Sequence, residues 1–188
     1  MSYYSRKELV GMGFKYLGRD VKVSRLAAIY DHQEIEIGDF SRIDDFCILS
    51  GKVSIGRFCH ITPMCLLAGG HPGIQLKDFV TLAYGVKAFA QSDDYSGQSM
   101  TNSLIPKEYK QEKFAALLFE KHVIVGANST VLPGVVLAEG CAIGAMTLIS
   151  KSTKAWGIYT GIPGKRVKER YRNIQLLEKQ FLQSRADD

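Results

Sequence analysis

The stretch Ile37-Gly38-Asp39-Phe40-Ser41-Arg42-Ile43-Asp44-Asp45-Phe46-Cys47-Ile48-Leu49 decides the fold. Ile37, Ile43 and Leu49 stand six residues apart, and Ser41 and Cys47 follow four places after the first two. A spacing of six is a multiple of the strand period of two and fits no amphipathic helix. Outward from this stretch the aliphatics continue through Ile55, Ile61 and Leu67, then Leu76 and Leu82 after a small insertion. They return as Val125, Val131, Leu137, Ile143 and Ile149, and an offset series, Leu17, Val23, Ile29 and Ile35, precedes them. Strands with this pattern are short and bent at fixed intervals.

The position four places after each aliphatic holds a small or β-branched residue: Ser41, Cys47, Val53, Cys59, Cys65, Val80, Val86, Ser129, Val135, Cys141 and Thr147. All four cysteines fall in this inward-facing class, which makes them small core residues rather than nucleophiles or metal ligands. The position just after the aliphatic is often glycine or a small acid: Gly38, Asp44, Gly56, Gly126 and Gly144. A glycine there is expected to serve a corner that needs positive φ. Three six-residue sides close a triangular coil of eighteen residues, and stacked coils form a parallel β-helix.

From Gln91 to Leu118 the period is lost, and a polar run with Asp93, Asp94 and Tyr95 leads into Pro106 and charged residues. A long aperiodic segment in a compact domain is usually functional. The boundaries expected are therefore a helical segment at 1–16, a β-helix at 17–163 with an extruded loop at 91–118, and a basic helix at 164–188. Ser5 and Glu8 have capping-box spacing for the first helix. Val167, Ile174, Leu177 and Phe181 set the helix expected from Lys165.

The 188 residues carry a net charge of +5, 46% apolar residues and 23% charged residues, which excludes a mostly disordered chain. Among the charged residues, Lys165, Arg166, Lys168, Arg170 and Arg172 crowd one segment, suited to phosphates. No nucleic-acid module is present. No apolar run approaches the ~18 residues of a membrane helix, and the N-terminus lacks the apolar segment of a signal peptide. A cytoplasmic location is the expectation.

Three linked blocks carry more specific information. They run from Val125 to Val135, from Ile143 to Ser152, and from Trp156 to Lys165. Together they resemble the C-terminal block of the hexapeptide-repeat acyltransferases, in particular the galactoside, maltose and O-antigen sugar acetyltransferases. The resemblance implies an all-β, left-handed parallel β-helix, and acetyl-coenzyme A as co-substrate. It also implies a homotrimer with active sites between subunits. Ala127 and Ala145 match the small corner residues along which the pantetheine arm lies. Lys151, Lys165 and the adjoining Arg166 match basic residues near the nucleotide end, as phosphate requires.

The acceptor side departs from that family. Galactoside-type enzymes carry a basic histidine at the start of the loop, and here Asp93 holds that place. An exposed carboxylate is a weak base at neutral pH unless burial or a neighbouring charge raises its pKa. His60 follows inward-facing Cys59 and so points outward; it and Asp93 are the catalytic candidates. His71, in a Gly69-Gly70-His71-Pro72-Gly73 turn, joins Asp94 and Tyr95 as acceptor-binding candidates. His122 reads as a structural corner residue and His32 as exposed. A β-helical zinc enzyme would need histidine pairs five apart, and histidines at 32, 60, 71 and 122 give none, so no metal is expected.

The function expected is acetyl transfer to a sugar hydroxyl or amino-sugar nitrogen in surface-polysaccharide synthesis, within a ternary complex. Antibiotic acetylation and a non-catalytic assembly role are the alternatives.

Overall fold

In the computed structural model, which describes residues 2–185, the chain winds as a left-handed parallel β-helix of about seven turns. One side stacks Lys22–Val23, Arg42–Ile43, His60–Ile61, Thr81–Leu82, Ile124–Val125, Ala142–Ile143 and Gly157–Thr160, each parallel to the next. The other two sides share one sheet, because Ile48–Ile55 and Leu66–Leu76 run around a corner and belong to both. The register repeats every coil: Arg42 lies beside His60, Leu49 beside Leu67, Ile55 beside Leu76. The expected aliphatics therefore stack inside, with Ile43, Ile61, Leu82 and Val125 in one column and Ile37, Leu76 and Leu137 in another, joined there by Phe119, all fully buried. Burying each such side chain stabilises the fold by about 1.5–3 kcal/mol. The four cysteines are buried free thiols.

The corner glycines serve a different purpose from the one expected. Gly38, Gly56, Gly126 and Gly144 do not have positive φ; instead another coil presses on them. A Cβ on Gly38 would stand 2.6 Å from the Gly56 carbonyl, and one on Gly126 2.5 Å from the Ala145 nitrogen. Positive φ falls two residues later, on Phe40, Phe58, Phe79 and His122 at one corner and on Met64, Asn128 and Met146 at another. The left-handed region costs a side-chain-bearing residue roughly 1–2 kcal/mol. A hydrogen bond to the preceding coil offsets it at each turn: Phe40 N–H donates to Arg19 O (2.8 Å), Phe58 to Asp39 (2.9 Å) and Phe79 to Arg57 (2.9 Å).

Helix α1 spans Arg6–Gly11, capped by the Ser5 and Glu8 box, and drops Leu9 into the N-terminal end of the core. The C-terminal helix begins later than its sequence pattern suggests. Lys165–Glu169 is a strand antiparallel to Gly157–Thr160, and helix α2 covers only Ile174–Ser184. Arg170 sets this delay: its guanidinium donates to His122 O (2.7 Å) and Gly140 O (3.0 Å), pinning the chain flat against the last coils. Residues 186–188 of the expected basic helix lie outside the described residues. Helix α2 then lies over the corner where Phe40, Phe58, Phe79 and His122 stack at 5.0–5.2 Å. Phe181 meets Phe58 edge-on, and Glu178 pairs with Lys121 (2.5 Å) and His122 (2.8 Å). His32, expected to be exposed, is half-buried with its ring edge-on to Phe14.

The aperiodic segment leaves the second side after Lys87–Phe89 and rejoins the third at Leu117–Phe119. Its neck is closed by the antiparallel pair Gln91–Ser92 and Lys113–Phe114.

Gly38→Ala is expected to lower stability by about 1–3 kcal/mol, because the added methyl meets backbone that cannot yield. Gly11→Ala, with open space around the site, is expected to cost nothing. Urea unfolding midpoints of the two variants check the contrast.

Candidate active site

The most organised polar cluster sits on the first side of the coil. Parallel pairing sets Arg42 beside His60, and Asp44 lies two residues beyond Arg42 on the same strand line. Asp44 is 1% exposed at its side chain, yet it carries no glycine-like corner role. Its carboxylate accepts from Arg42 Nε (2.6 Å) and Nη2 (2.9 Å), from Tyr3 Oη (3.1 Å) and bonds His60 Nε2 (2.8 Å). Burial pushes the Asp44 pKa up, but the bonds from Arg42, His60 and Tyr3 outweigh it and hold the group below its ordinary value. His60 keeps 39% of its side chain exposed.

The strand that carries His60 runs into an open corner of the coil. Along that corner Met64 N–H donates to Asp45 O (3.0 Å), Gly85 to Pro63 (3.0 Å), Asn128 to Tyr84 (2.8 Å) and Met146 to Ala127 (2.8 Å). Ala127 and Ala145 are thus stacked at successive levels of one edge. Met64, Tyr84 and Met146 stand exposed beside it. Small side chains at Ala127 and Ala145 leave the backbone of this edge close to its surface.

At the far end of the same edge lies exposed Lys165, while exposed Lys151 follows Leu148–Ile149 on the next corner, the one from which the loop leaves. Gly164 N–H donates to Leu148 O (2.8 Å), which holds the Lys165 segment against the coil. The rest of the basic cluster is largely committed. Arg166 pairs with Glu169 (2.6 Å), Arg170 binds carbonyls and Arg172 covers the Trp156 ring (5.5 Å).

The loop residues group separately. Asp94 accepts from Ser96 N (2.8 Å), Ser96 Oγ (2.9 Å), Ser99 N (3.2 Å) and Ser99 Oγ (3.0 Å). These bonds, the Ser96 amide first, hold its pKa below the ordinary value, against the rise that a basic carboxylate would need. Asp93 is half-buried and accepts from Asn102 N at 3.4 Å. Tyr95 is 92% exposed. His71 lies between Gly70 and Gly73, both of positive φ, with its ring 4.5 Å from Phe114 at the loop's neck. So His71, Asp93, Asp94 and Tyr95 belong to the loop side, while His60 belongs to the opposite sheet. Among the described residues no hydrogen bond or ion pair joins the two groups. Among the described residues no three His, Cys, Asp or Glu side chains are grouped to hold a metal ion.

No family model matches the chain. It is 35% identical over 191 residues to the dTDP-4-amino-4,6-dideoxy-D-glucose acyltransferase of Escherichia coli, covering 100% of this chain and 99% of that one. The chain belongs to the dTDP-aminosugar acyltransferases. Its structure matches AntD, an N-acyltransferase from Bacillus cereus solved with dTDP and 3-hydroxybutyryl-CoA, at TM-score 0.97 and 43% identity over 98% of each chain. A variant of AntD, 44% identical with TM-score 0.96 over 97% of this chain and 98% of that one, was solved with dTDP-4-amino-4,6-dideoxyglucose and coenzyme A. A lipopolysaccharide O-acetyltransferase assigned as putative, WbbJ of Escherichia coli K12, is 27% identical over 73% of this chain and 70% of that one.

For a dTDP-aminosugar acyltransferase, the polar cluster at Asp44 is the part that sequence reasoning missed. By spacing alone Asp44 falls with the corner glycines, and nothing in the hexad pattern singles out Arg42 or Tyr3. The available signal was an arginine and a histidine eighteen apart, one coil, with an acid two places on.

Asp44 has a lowered folded pKa, so its contacts stabilise the protein above its unfolded value of 3.8 and are lost as pH falls through the folded value. Asp44→Asn is therefore expected to flatten the fall in stability below about pH 4, even where it lowers stability at neutral pH. Urea titrations at a series of acid pH values measure this.

Proposed function

We propose that this chain transfers an acyl group from an acyl-coenzyme A to the 4-amino group of a dTDP-linked 4-amino-4,6-dideoxyhexose. The observation that carries the reading is full-length similarity to an enzyme of that name, 35% identical across 100% of this chain. The site chemistry agrees with it. A neutral amine attacks the thioester carbon, a C–N bond forms, the C–S bond breaks and coenzyme A leaves as the thiol. An amine is a better nucleophile than an alcohol, so no strongly basic loop residue is required, in keeping with an Asp94 tuned downward.

In this reading Ala127 and Ala145 form the edge for pantetheine, while Lys151, Lys165 and Arg166 meet the phosphates of the donor. His71, Asp93, Asp94 and Tyr95 approach the acceptor from the loop side. They lie apart from His60 in one chain, which favours a homotrimer whose active sites use the loop of one subunit and the first side of another. Acetyl-coenzyme A is the donor proposed, and surface polysaccharide is the destination in line with the likeness to WbbJ. Among the described residues no helix is long and apolar enough to cross a membrane.

With dTDP-4-amino-4,6-dideoxyglucose and acetyl-coenzyme A, thiol release is expected to match amide formation mole for mole. Thiol release that ignores the sugar nucleotide, or that needs a plain glycoside, overturns the reading. Replacing acetyl- with 3-hydroxybutyryl-coenzyme A ranks the donors by kcat/KM.

Lys151→Ala combined with Lys165→Ala is expected to raise KM for the acyl-coenzyme A about tenfold with kcat retained, the loss of one charge-assisted contact of roughly 1.4 kcal/mol or more. Initial-rate kinetics at fixed ionic strength separate the two constants.

A further inference from the structure

We infer that His60 is the proton acceptor of the transfer step and that buried Asp44 is its positioning residue. This rests on the acyltransferase reading above. His60 Nε2 stands 2.8 Å from an Asp44 oxygen whose side chain is 1% exposed. A carboxylate held ionised accepts only, so the imidazole must donate from Nε2. That fixes the tautomer and leaves the Nδ1 lone pair available on a ring that is 39% exposed. The carboxylate in turn cannot swing, because Arg42 grips both of its oxygens and Tyr3 adds a third partner. A base oriented by a fixed carboxylate is the arrangement that acyl transfer uses elsewhere. By contrast His122, the other histidine paired with an acid, is 3% exposed beneath helix α2, and no acceptor reaches it.

The location agrees. Pro63, three residues beyond His60, accepts from Gly85 in the same backbone ladder that reaches Ala127 and Ala145. The histidine therefore sits beside the N-terminal continuation of the edge assigned to pantetheine, opposite the end that carries Lys165.

The step balances as follows. The amine nitrogen bonds to the thioester carbon and the carbonyl π electrons move to oxygen. His60 Nδ1 takes one N–H proton, becoming imidazolium beside ionised Asp44. The oxyanion collapses, the C–S bond breaks and the thiolate takes the proton back from Nδ1. Amide and thiol are released and His60 is neutral again.

His60→Gln keeps a donor to Asp44 and is expected to lower kcat about 100-fold with KM for both substrates within about twofold. Imidazole added to His60→Ala is expected to restore turnover in proportion to its concentration. In ¹⁵N NMR of the wild type His60 is expected as the Nε2–H tautomer. Asp44→Asn, whose amide donates instead, is expected to shift it to Nδ1–H and lower kcat about tenfold or more. Wild-type turnover with His60→Gln within twofold, or an Nδ1–H wild type, overturns the proposal and leaves the acyltransferase reading intact. Absence of wild-type turnover on any dTDP-aminosugar overturns that reading and this one together.

Discussion

Backbone stacking between coils, at the ~4.8 Å spacing of paired strands, is the constraint on which the rest of the structure depends. Every coil must place its amides over the carbonyls of the one before, so equivalent residues stand in columns. Gly38, Gly56 and Gly126 mark where the approach leaves no room for a Cβ. Once the columns are fixed, outward chemistry is fixed too: Arg42 has no choice but to lie beside His60, and His60 beside Thr81. A site on such a surface is assembled from residues a coil apart, with no loop needed to bring them together.

The same constraint explains why side chains other than glycine accept left-handed backbone at the corners. An αL residue turns its N–H toward the coil below, and the resulting bond recurs at Phe40, Phe58 and Phe79. Bulky rings at those places then stack at 5.0–5.1 Å and gain contact that a glycine could not give. Packing energy here outweighs the conformational cost, which is modest per residue.

The core and the overall fold were legible in the sequence because the hexad spacing answers to burial alone. Ile43, Ile61 and Leu82 could be assigned inward without knowing any partner, and the cysteines went with them. The capping box at Ser5 and Glu8 was equally local. What failed was everything decided by contacts across coils. The glycines were assigned to positive φ when crowding explains them. The segment from Lys165 was given to a helix because Val167 fits the spacing of Ile174, Leu177 and Phe181, yet Val167 is 57% exposed on a strand. Arg170, reaching back 30 and 48 residues to Gly140 and His122, holds that strand. The pairing of Asp44 with His60 was hidden for the same reason: an acid in a glycine-rich column reads as a corner until its neighbours are known.

The corners of the coil divide the work of the molecule. One is closed: helix α2 lays Phe181 and Glu178 over the aromatic column, and Arg185 covers the Phe40 ring at 4.1 Å. A second is interrupted by the loop, whose neck His71 and Phe114 brace. The third runs from Asp45 through Pro63, Tyr84 and Ala127 to Ala145, and among the described residues Phe46, Met64 and Met146 on it are each more than half exposed. Apolar side chains of this size, in a line and beside regularly spaced carbonyls, gain from a long flexible ligand that is apolar in part and amide-bearing in part. An acyl-pantetheine chain has that character along its length. On the proposed reading the ligand then has a direction, with its reactive end toward His60 and its phosphates toward Lys165 at the other end of the line. Asp44 is already neutralised by Arg42, so on that reading it is the exposed cation at the far end, not repulsion at the near one, that would set the polarity of the site.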